Sequence, residues 1–344
     1  MQKLLSVAIP SFNSQDYVSR AIESLLPGRE QVEIIVVDDG STDDTSRIAE
    51  EYIDKYPDDV RLIKKENGGH GDAVMAGLSA ATGLYFRVLD SDDWLDEESL
   101  HKLLGVLEEM RDPEKAADLV ITNYVYEKVN EGKRCPINYR KTLPVGRLFG
   151  WDEVGKWATG SYILMHSATY RTELARESGM KLPKHTFYVD HLFVCYPMMK
   201  VKKMYYLDVD LYRYFIGRAD QSVNEKVMLS RMDQQLRVNR LMLYELDTDS
   251  LTNDAQREYL YYYTEIVTLA TVSFLLRLHT KEDEQVMQSF LDEIQEKRPV
   301  YYEWICKKPF TRHMIGPVRR WPHWISYPLH RLGYQIARKL FGFN

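Results

Sequence analysis

Short apolar runs alternate with longer amphipathic stretches through the first 110 residues. Leu4–Pro10 reads as a buried strand. Gln15–Leu26 reads as a helix with Ala21, Ile22, Leu25 and Leu26 on its apolar face. Val32–Val37 is β-branched and apolar, a strand that ends at Asp38-Asp39-Gly40. Ser41–Asp44 opens a helix through about Tyr56, its acids at the favourable N-terminal end. Val60–Lys65 is a short strand, Asp72–Ala81 a helix closed by Gly83, Leu84–Leu89 a strand and Glu97–Met110 a helix. Strands separated by helices of this length predict βαβ units and a mainly parallel sheet, an α/β fold. The middle is less regular. It predicts strands at Leu119–Val129, Ile163–Tyr170 and Met204–Tyr214, with helices at Trp151–Trp157 and His191–Met199. From about Glu225 the period becomes helical: Val227–Tyr244, Asp254–Leu278 and Lys281–Glu296. This change of period sets a domain boundary near residue 225.

Ligands of open α/β sheets bind beyond the carboxyl ends of the strands. Three polar clusters fall at such ends: Pro10-Ser11-Phe12-Asn13, Asp38-Asp39-Gly40-Ser41 and Asp90-Ser91-Asp92-Asp93. Acids there repel phosphate. They make sense if one carboxylate accepts from a base or ribose while another binds a divalent cation that neutralises a diphosphate. The plain alternative is that both acidic clusters are turns with capping residues. Gly68-Gly69-His70-Gly71 has the look of a phosphate-cradling loop. The chain has no Gly-x-Gly-x-x-Gly after the first strand and no Gly-Lys-Ser/Thr, against dinucleotide binding and a P-loop.

Four blocks together resemble the family 2 glycosyltransferases: Val7–Asn13, Val36–Asp43, Glu66–Gly69 and Ala81–Trp94. They come in that family's order and spacing across residues 4–100, and the likeness fades towards residue 224. The resemblance implies a GT-A fold and an inverting, metal-dependent transfer (Mg²⁺ or Mn²⁺) of one sugar from a UDP-sugar to a glycan or lipid-linked acceptor. It assigns Pro10, Phe12 and Asn13 to the donor, with Phe12 in place of the usual Tyr. It gives Asp39 to the base, Asp90 to the ribose or sugar, and Asp92 to the metal, with Asp90 and Asp93 sharing that work. Ser91, Gly69 and His70 fall on the same donor side. Many members carry Ala-Arg-Asn-x-Gly where this chain reads Asp72–Gly77, so His70 stands in for the missing base. The family's proton acceptor precedes a helix about 100 residues past the Asp-x-Asp, which selects Asp190 in Tyr188-Val189-Asp190-His191. The alternative is that Asp190 only caps that helix. His166 is a candidate contact to acceptor or diphosphate. Arg218 and Gln221 belong to a stretch resembling a loop that closes over the donor, Arg218 facing the leaving diphosphate. The Gln-x-x-Arg-Trp motif of processive synthases is missing. Two rivals are a degenerate member that only binds or tethers, and a nucleotidyltransferase, which needs a basic Gly-rich loop that Pro10–Asn13 does not offer.

The chain has 344 residues, enough for two domains or one with a large extension. Its three cysteines (Cys135, Cys195, Cys306) are far apart, against a disulfide scaffold or a Cys-rich zinc site. No apolar run reaches transmembrane length and Leu4–Pro10 lacks the shape of a signal peptide, so a cytoplasmic protein is expected. Charge is uneven. Residues 304–344 hold eight Lys and Arg and no acid, whereas residues 1–303 hold 37 bases against 51 acids. The tail interleaves its bases with Trp304, Phe310, Trp321, Trp324, Tyr327, Tyr334, Phe341 and Phe343. That pattern suits an anionic membrane surface, with the protein peripheral on the inner face of the cell membrane. A packing or dimer role for these aromatics is the alternative. The acidic body argues against nucleic acid. The expected organisation is a GT-A domain over 1–224, a helical domain over 225–303 and a basic aromatic tail over 304–344. The oligomeric state stays open.

Overall fold

The computed structural model describes residues 2–217, 225–278, 280–309, 311, 312 and 315. The chain divides into two compact units, residues 1–218 and 219–344.

The first unit is a sheet with helices. β1 (Leu5–Ser11) and β2 (Val32–Asp38) are buried along their whole length. That is why both read as unbroken apolar runs rather than alternating ones. β3 (Val60–Lys64) and β4 (Tyr85–Val88) complete a parallel half in the order β3-β2-β1-β4. α1 (Val18–Glu23), α2 (Thr45–Lys55) and α3 (His70–Ala80) connect these strands. Gly77 lets α3 lie close on β1: a Cβ there would come within 2.5 Å of the Ala8 Cβ. β5 (Trp94–Leu95), α4 (Glu97–Glu109), β6 (Leu119–Lys128), β7 (Lys133–Ile137), β8 (Leu148–Phe149) and β9 (Ala168–Arg171) follow. Then come α5 (Thr172–Glu177), α6 (Asp190–Met198) and β10 (Met204–Ile216).

The sheet continues β4-β9-β6-β10-β5, and this half is mixed. β9 runs antiparallel between β4 and β6, while β6 and β10 are parallel. The expected parallel pairing therefore runs through β4 and recurs between β6 and β10, with antiparallel strands between and beyond them. The strand expected at Ile163–Tyr170 is corrected. Its first half is a 3₁₀ turn, Met165–Ser167, and only its end joins β9. Arg87, buried in β4, fixes the turn by donating to the His166 carbonyl at 2.6 Å. The helix expected at Trp151–Trp157 is a 3₁₀ turn over Trp151–Glu153.

The second unit is helical: α7 (Glu225–Leu229), α8 (Met232–Tyr244), α9 (Asp254–Leu278), α10 (Lys281–Lys297) and α11 (Pro299–Lys307). Its core gathers Leu243, Val272, Phe290, Leu291, Ile294 and Ile305. Buried amides pair with α9 hydroxyls, Gln235 with Thr271 and Asn239 with Thr268, each at 3.2 Å. Among the described residues no helix is long and apolar enough to cross a membrane.

Candidate active site

The rim beyond β1, β2 and β4 is stitched together by short polar side chains. Asn13 takes a positive φ of 49° after β1. Its amide donates to the Ser41 Oγ and its Oδ1 accepts from the Thr42 amide, each at 2.9 Å. Ser14 and Ser91 share a hydroxyl contact of 2.8 Å. The loop after β1 is thereby tied to the loops after β2 and β4. Pro10 is buried within β1, whereas the Phe12 ring is 52% exposed at the rim.

The two acids ending β2 diverge. Asp38 accepts from the Ser41 amide at 2.8 Å and from the Ser46 hydroxyl, closing the turn into α2. Asp39 holds the glycine loop. Its Oδ1 accepts from Lys65 Nζ at 2.6 Å and the Gly68 amide at 2.9 Å, and its Oδ2 from the Gly69 amide at 2.7 Å. By lone-pair count Oδ2 keeps one acceptor position for a ligand. Gly69 has φ 86°, and a Cβ there would come within 3.0 Å of the His185 amide nitrogen. That nitrogen donates to the Gly68 carbonyl at 2.7 Å. The glycine loop thus docks against the segment that leads into α6.

This docking brings distant residues together. His70, the first residue of α3, places Nε2 2.9 Å from Asp90 Oδ1 and Nδ1 4.0 Å from Asp190 Oδ1. Burial alone would lower the His70 pKa. Contact with Asp90 and the charges of Asp190 and Asp92 outweigh it and raise the value to about 9. His70 is thus a cation at neutral pH, between two carboxylates. Burial would likewise raise the Asp90 pKa, but His166 and His70 hold it far below the usual carboxylate range. Asp190 is the first residue of α6 and its side chain is 39% exposed, open to a reacting group.

Asp93 differs from its neighbours. It is fully buried, and burial followed by the nearby charges of Asp92 and Asp90 pushes its pKa well up. Its Oδ2 accepts from the Tyr212 hydroxyl at 2.6 Å and its Oδ1 from the Phe215 amide at 2.8 Å. The main-chain carbonyl of Asp92 accepts from Arg20, whose guanidinium lies 4.0 Å from the Trp94 ring centroid. Asp90, Asp93 and His166 each bring one ligand atom within 4.8 Å of the others, a donor set able to hold a divalent ion. Arg218 and Gln221 lie outside the described residues.

Sequence reasoning missed Lys65, Arg20, Arg87, Tyr212 and Tyr214. Two of them carried a usable signal: Tyr212 and Tyr214 are two apart in a strand, so they share one face, and both flank the His166 ring.

Residues 6–164 match the family model described as glycosyl transferase family 2. Glycosyltransferase GlyG of Streptococcus pneumoniae is 36% identical over 134 residues, 38% of this chain and 42% of that protein. The poly(ribitol-phosphate) beta-N-acetylglucosaminyltransferase TarS of Staphylococcus aureus is 25% identical over 224 residues, 64% of this chain and 36% of that protein. The chain thus spans less than half the length of these two curated relatives. The crystal structure of TarS 1–349 in complex with UDP-GlcNAc superposes with a TM-score of 0.67 at 18% identity, covering 96% of this chain and 92% of that one. A Pyrobaculum calidifontis mannosyltransferase in complex with GDP-Man and Mn²⁺ has a TM-score of 0.54 at 14% identity, covering 96% and 88%. At such identities the structures speak for the fold alone, which is GT-A. The likeness to glycosyl transferase family 2 thus covers residues 6–164 of the chain.

Proposed function

We propose that the protein is an inverting glycosyltransferase that moves one sugar from a UDP-sugar to a hydroxyl of a glycan or lipid-linked acceptor. The observation that carries this reading is the line Asp90–His70–Asp190, with contacts of 2.9 and 4.0 Å. It sets a part-exposed carboxylate beside the acids of the donor rim. The S. aureus TarS complex with UDP-GlcNAc supports a UDP-sugar as donor.

In this mechanism the acceptor oxygen attacks the anomeric carbon as the bond from that carbon to the diphosphate oxygen breaks. The electron pair leaves with UDP, and Asp190 takes the acceptor proton. Such base catalysis is worth about 10²- to 10⁴-fold. Pro10, Phe12 and Asn13 border the nucleoside, and Asp39 Oδ2 accepts from the base. Asp90 with Ser91 faces the ribose or sugar. The His70 cation lies where the diphosphate passes and supplies the charge lost with the absent Arg. Asp90, Asp92 and Asp93 would hold Mg²⁺ or Mn²⁺, which when bound neutralises charge on the departing diphosphate. Arg218 and Gln221 are assigned to the same side.

Residues 1–224 form the transfer domain in this reading. The helical domain spans 225–303, and the tail, 304–344, holds the protein peripherally on an anionic cytoplasmic membrane face.

The test is a panel of nucleotide sugars, with and without Mn²⁺, read by binding and slow donor hydrolysis. One UDP-sugar should bind in a metal-dependent way and be hydrolysed. Asp190→Asn should cut hydrolysis at least 100-fold with UDP affinity unchanged. If the folded protein binds none of the nucleotide sugars, the catalytic reading gives way to a tethering one. If Asp190→Asn turns over normally, the base lies elsewhere.

A further inference from the structure

His166 occupies a position that packing alone does not explain. Its ring is 5% exposed, stacked on Tyr214 at 4.7 Å and met edge-on by Tyr212 at 4.5 Å. A buried imidazole normally pairs both ring nitrogens, because an unpaired buried polar atom forfeits its hydration without return. Nδ1 of His166 has no hydrogen-bond partner, and Nε2 has only the charge of Asp90 beside it. Nε2 lies 3.5 Å from Asp90 Oδ2, without the alignment of a hydrogen bond. The main chain below is fixed by Arg87 on the His166 carbonyl at 2.6 Å. A rigid, dehydrated nitrogen therefore sits beside a carboxylate oxygen.

Two donors of one ion at about 2.1 Å each can be at most about 4.2 Å apart, so a separation of 3.5 Å fits a shared ion. His70 is less suited, since its Nε2 is already engaged by Asp90 Oδ1 at 2.9 Å. Asp93, the other acid of the set, accepts from the Tyr212 hydroxyl and the Phe215 amide and keeps one lone pair on each oxygen. We propose that His166 Nε2 is a ligand of the divalent ion, beside Asp90, and that it tunes the site towards Mn²⁺ over Mg²⁺. Imidazole suits first-row transition ions, whereas Mg²⁺ keeps oxygen ligands and water. This departs from reading His166 as an acceptor or diphosphate contact, and it rests on the metal-assisted mechanism above.

The experiment uses the full chain with UDP and Mn²⁺. Electron spin echo envelope modulation should show a directly coordinated ¹⁴N on Mn²⁺ in the wild type. The wild-type spectrum needs no variant, so the proposal stays testable even if a change at this buried site impairs folding. The coupling should persist in His70→Gln and vanish in His166→Gln. Titration should give Mn²⁺ at least tenfold tighter than Mg²⁺, with that ratio shrinking at least threefold in His166→Gln. Mn²⁺ bound with no nitrogen coupling, or a coupling lost only in His70→Gln, overturns the His166 assignment and leaves metal assistance standing. Failure of Mn²⁺ to bind at all, with UDP bound, overturns metal assistance and this inference with it.

Discussion

Asp39 and Asp93 are both buried, and both accept hydrogen bonds from donors in distant parts of the chain. For Asp93 the donor is the Tyr212 hydroxyl, 119 residues away in sequence. Burial and two neighbouring acids already disfavour charge on Asp93. Removing the hydroxyl leaves the buried carboxyl one partner short, at a cost of about 1–3 kcal/mol. Tyr212→Phe should therefore lower the melting temperature by several degrees, at about 2–4 °C per kcal/mol in a domain of this size. An unchanged melting curve would mean that the hydroxyl does not hold Asp93. The acids of the rim were legible in the sequence because they end apolar strands. Their partners Lys65, Arg20 and Tyr212 were not. Nothing in a local pattern ties a strand-end acid to a side chain tens of residues away, and only the closed sheet and the docked loops bring them together.

Elements were legible where burial imposed a simple pattern. β1 and β2 are buried on both faces, and α4 presents Leu100, Leu103, Leu104 and Leu107 at helical spacing to the core. β7 escaped notice because its positions are mostly exposed and Lys133 and Arg134 interrupt any apolar run. The turn at Met165–Ser167 escaped because it is buried like a strand: apolar character reports burial, not dihedral angles. The junction of the glycine loop with the segment before α6 was equally hidden, since it depends on Gly69 at φ 86° and ψ 170°. An L-residue there is strained by about 1–3 kcal/mol, and its Cβ would press on His185. Gly69→Ala should lower the melting temperature by a few degrees and slow donor hydrolysis at least tenfold, because the junction sets the His70–Asp190 spacing. Gly105 is the counter-case, with open space where a Cβ would be and a place inside α4. Gly105→Ala should stabilise by about 0.5–1 kcal/mol through helix propensity and leave turnover unchanged. Equal effects from the two substitutions would remove the special role given to Gly69.

At the scale of the whole molecule, charge is the property that composition showed and that no single element explains. The bases of residues 310–344 are Arg312, Arg319, Arg320, Arg331, Arg338 and Lys339, with no acid among them. Each base close to an anionic bilayer contributes about 1 kcal/mol, and interfacial Trp and Tyr add apolar burial. Six such bases would outweigh repulsion from the acidic remainder, which is screened beyond a Debye length of about 8 Å at physiological ionic strength. The full chain should therefore sediment with phosphatidylserine-rich vesicles at low salt, and at least half should be released as salt rises to about 0.5 M. It should stay in the supernatant with purely zwitterionic vesicles. A chain lacking residues 310–344 should stay in the supernatant with both. Sedimentation of the shortened chain with the anionic vesicles would place the membrane contact outside the tail. Binding of the full chain that ignores lipid charge and salt would replace electrostatic attachment with an apolar one.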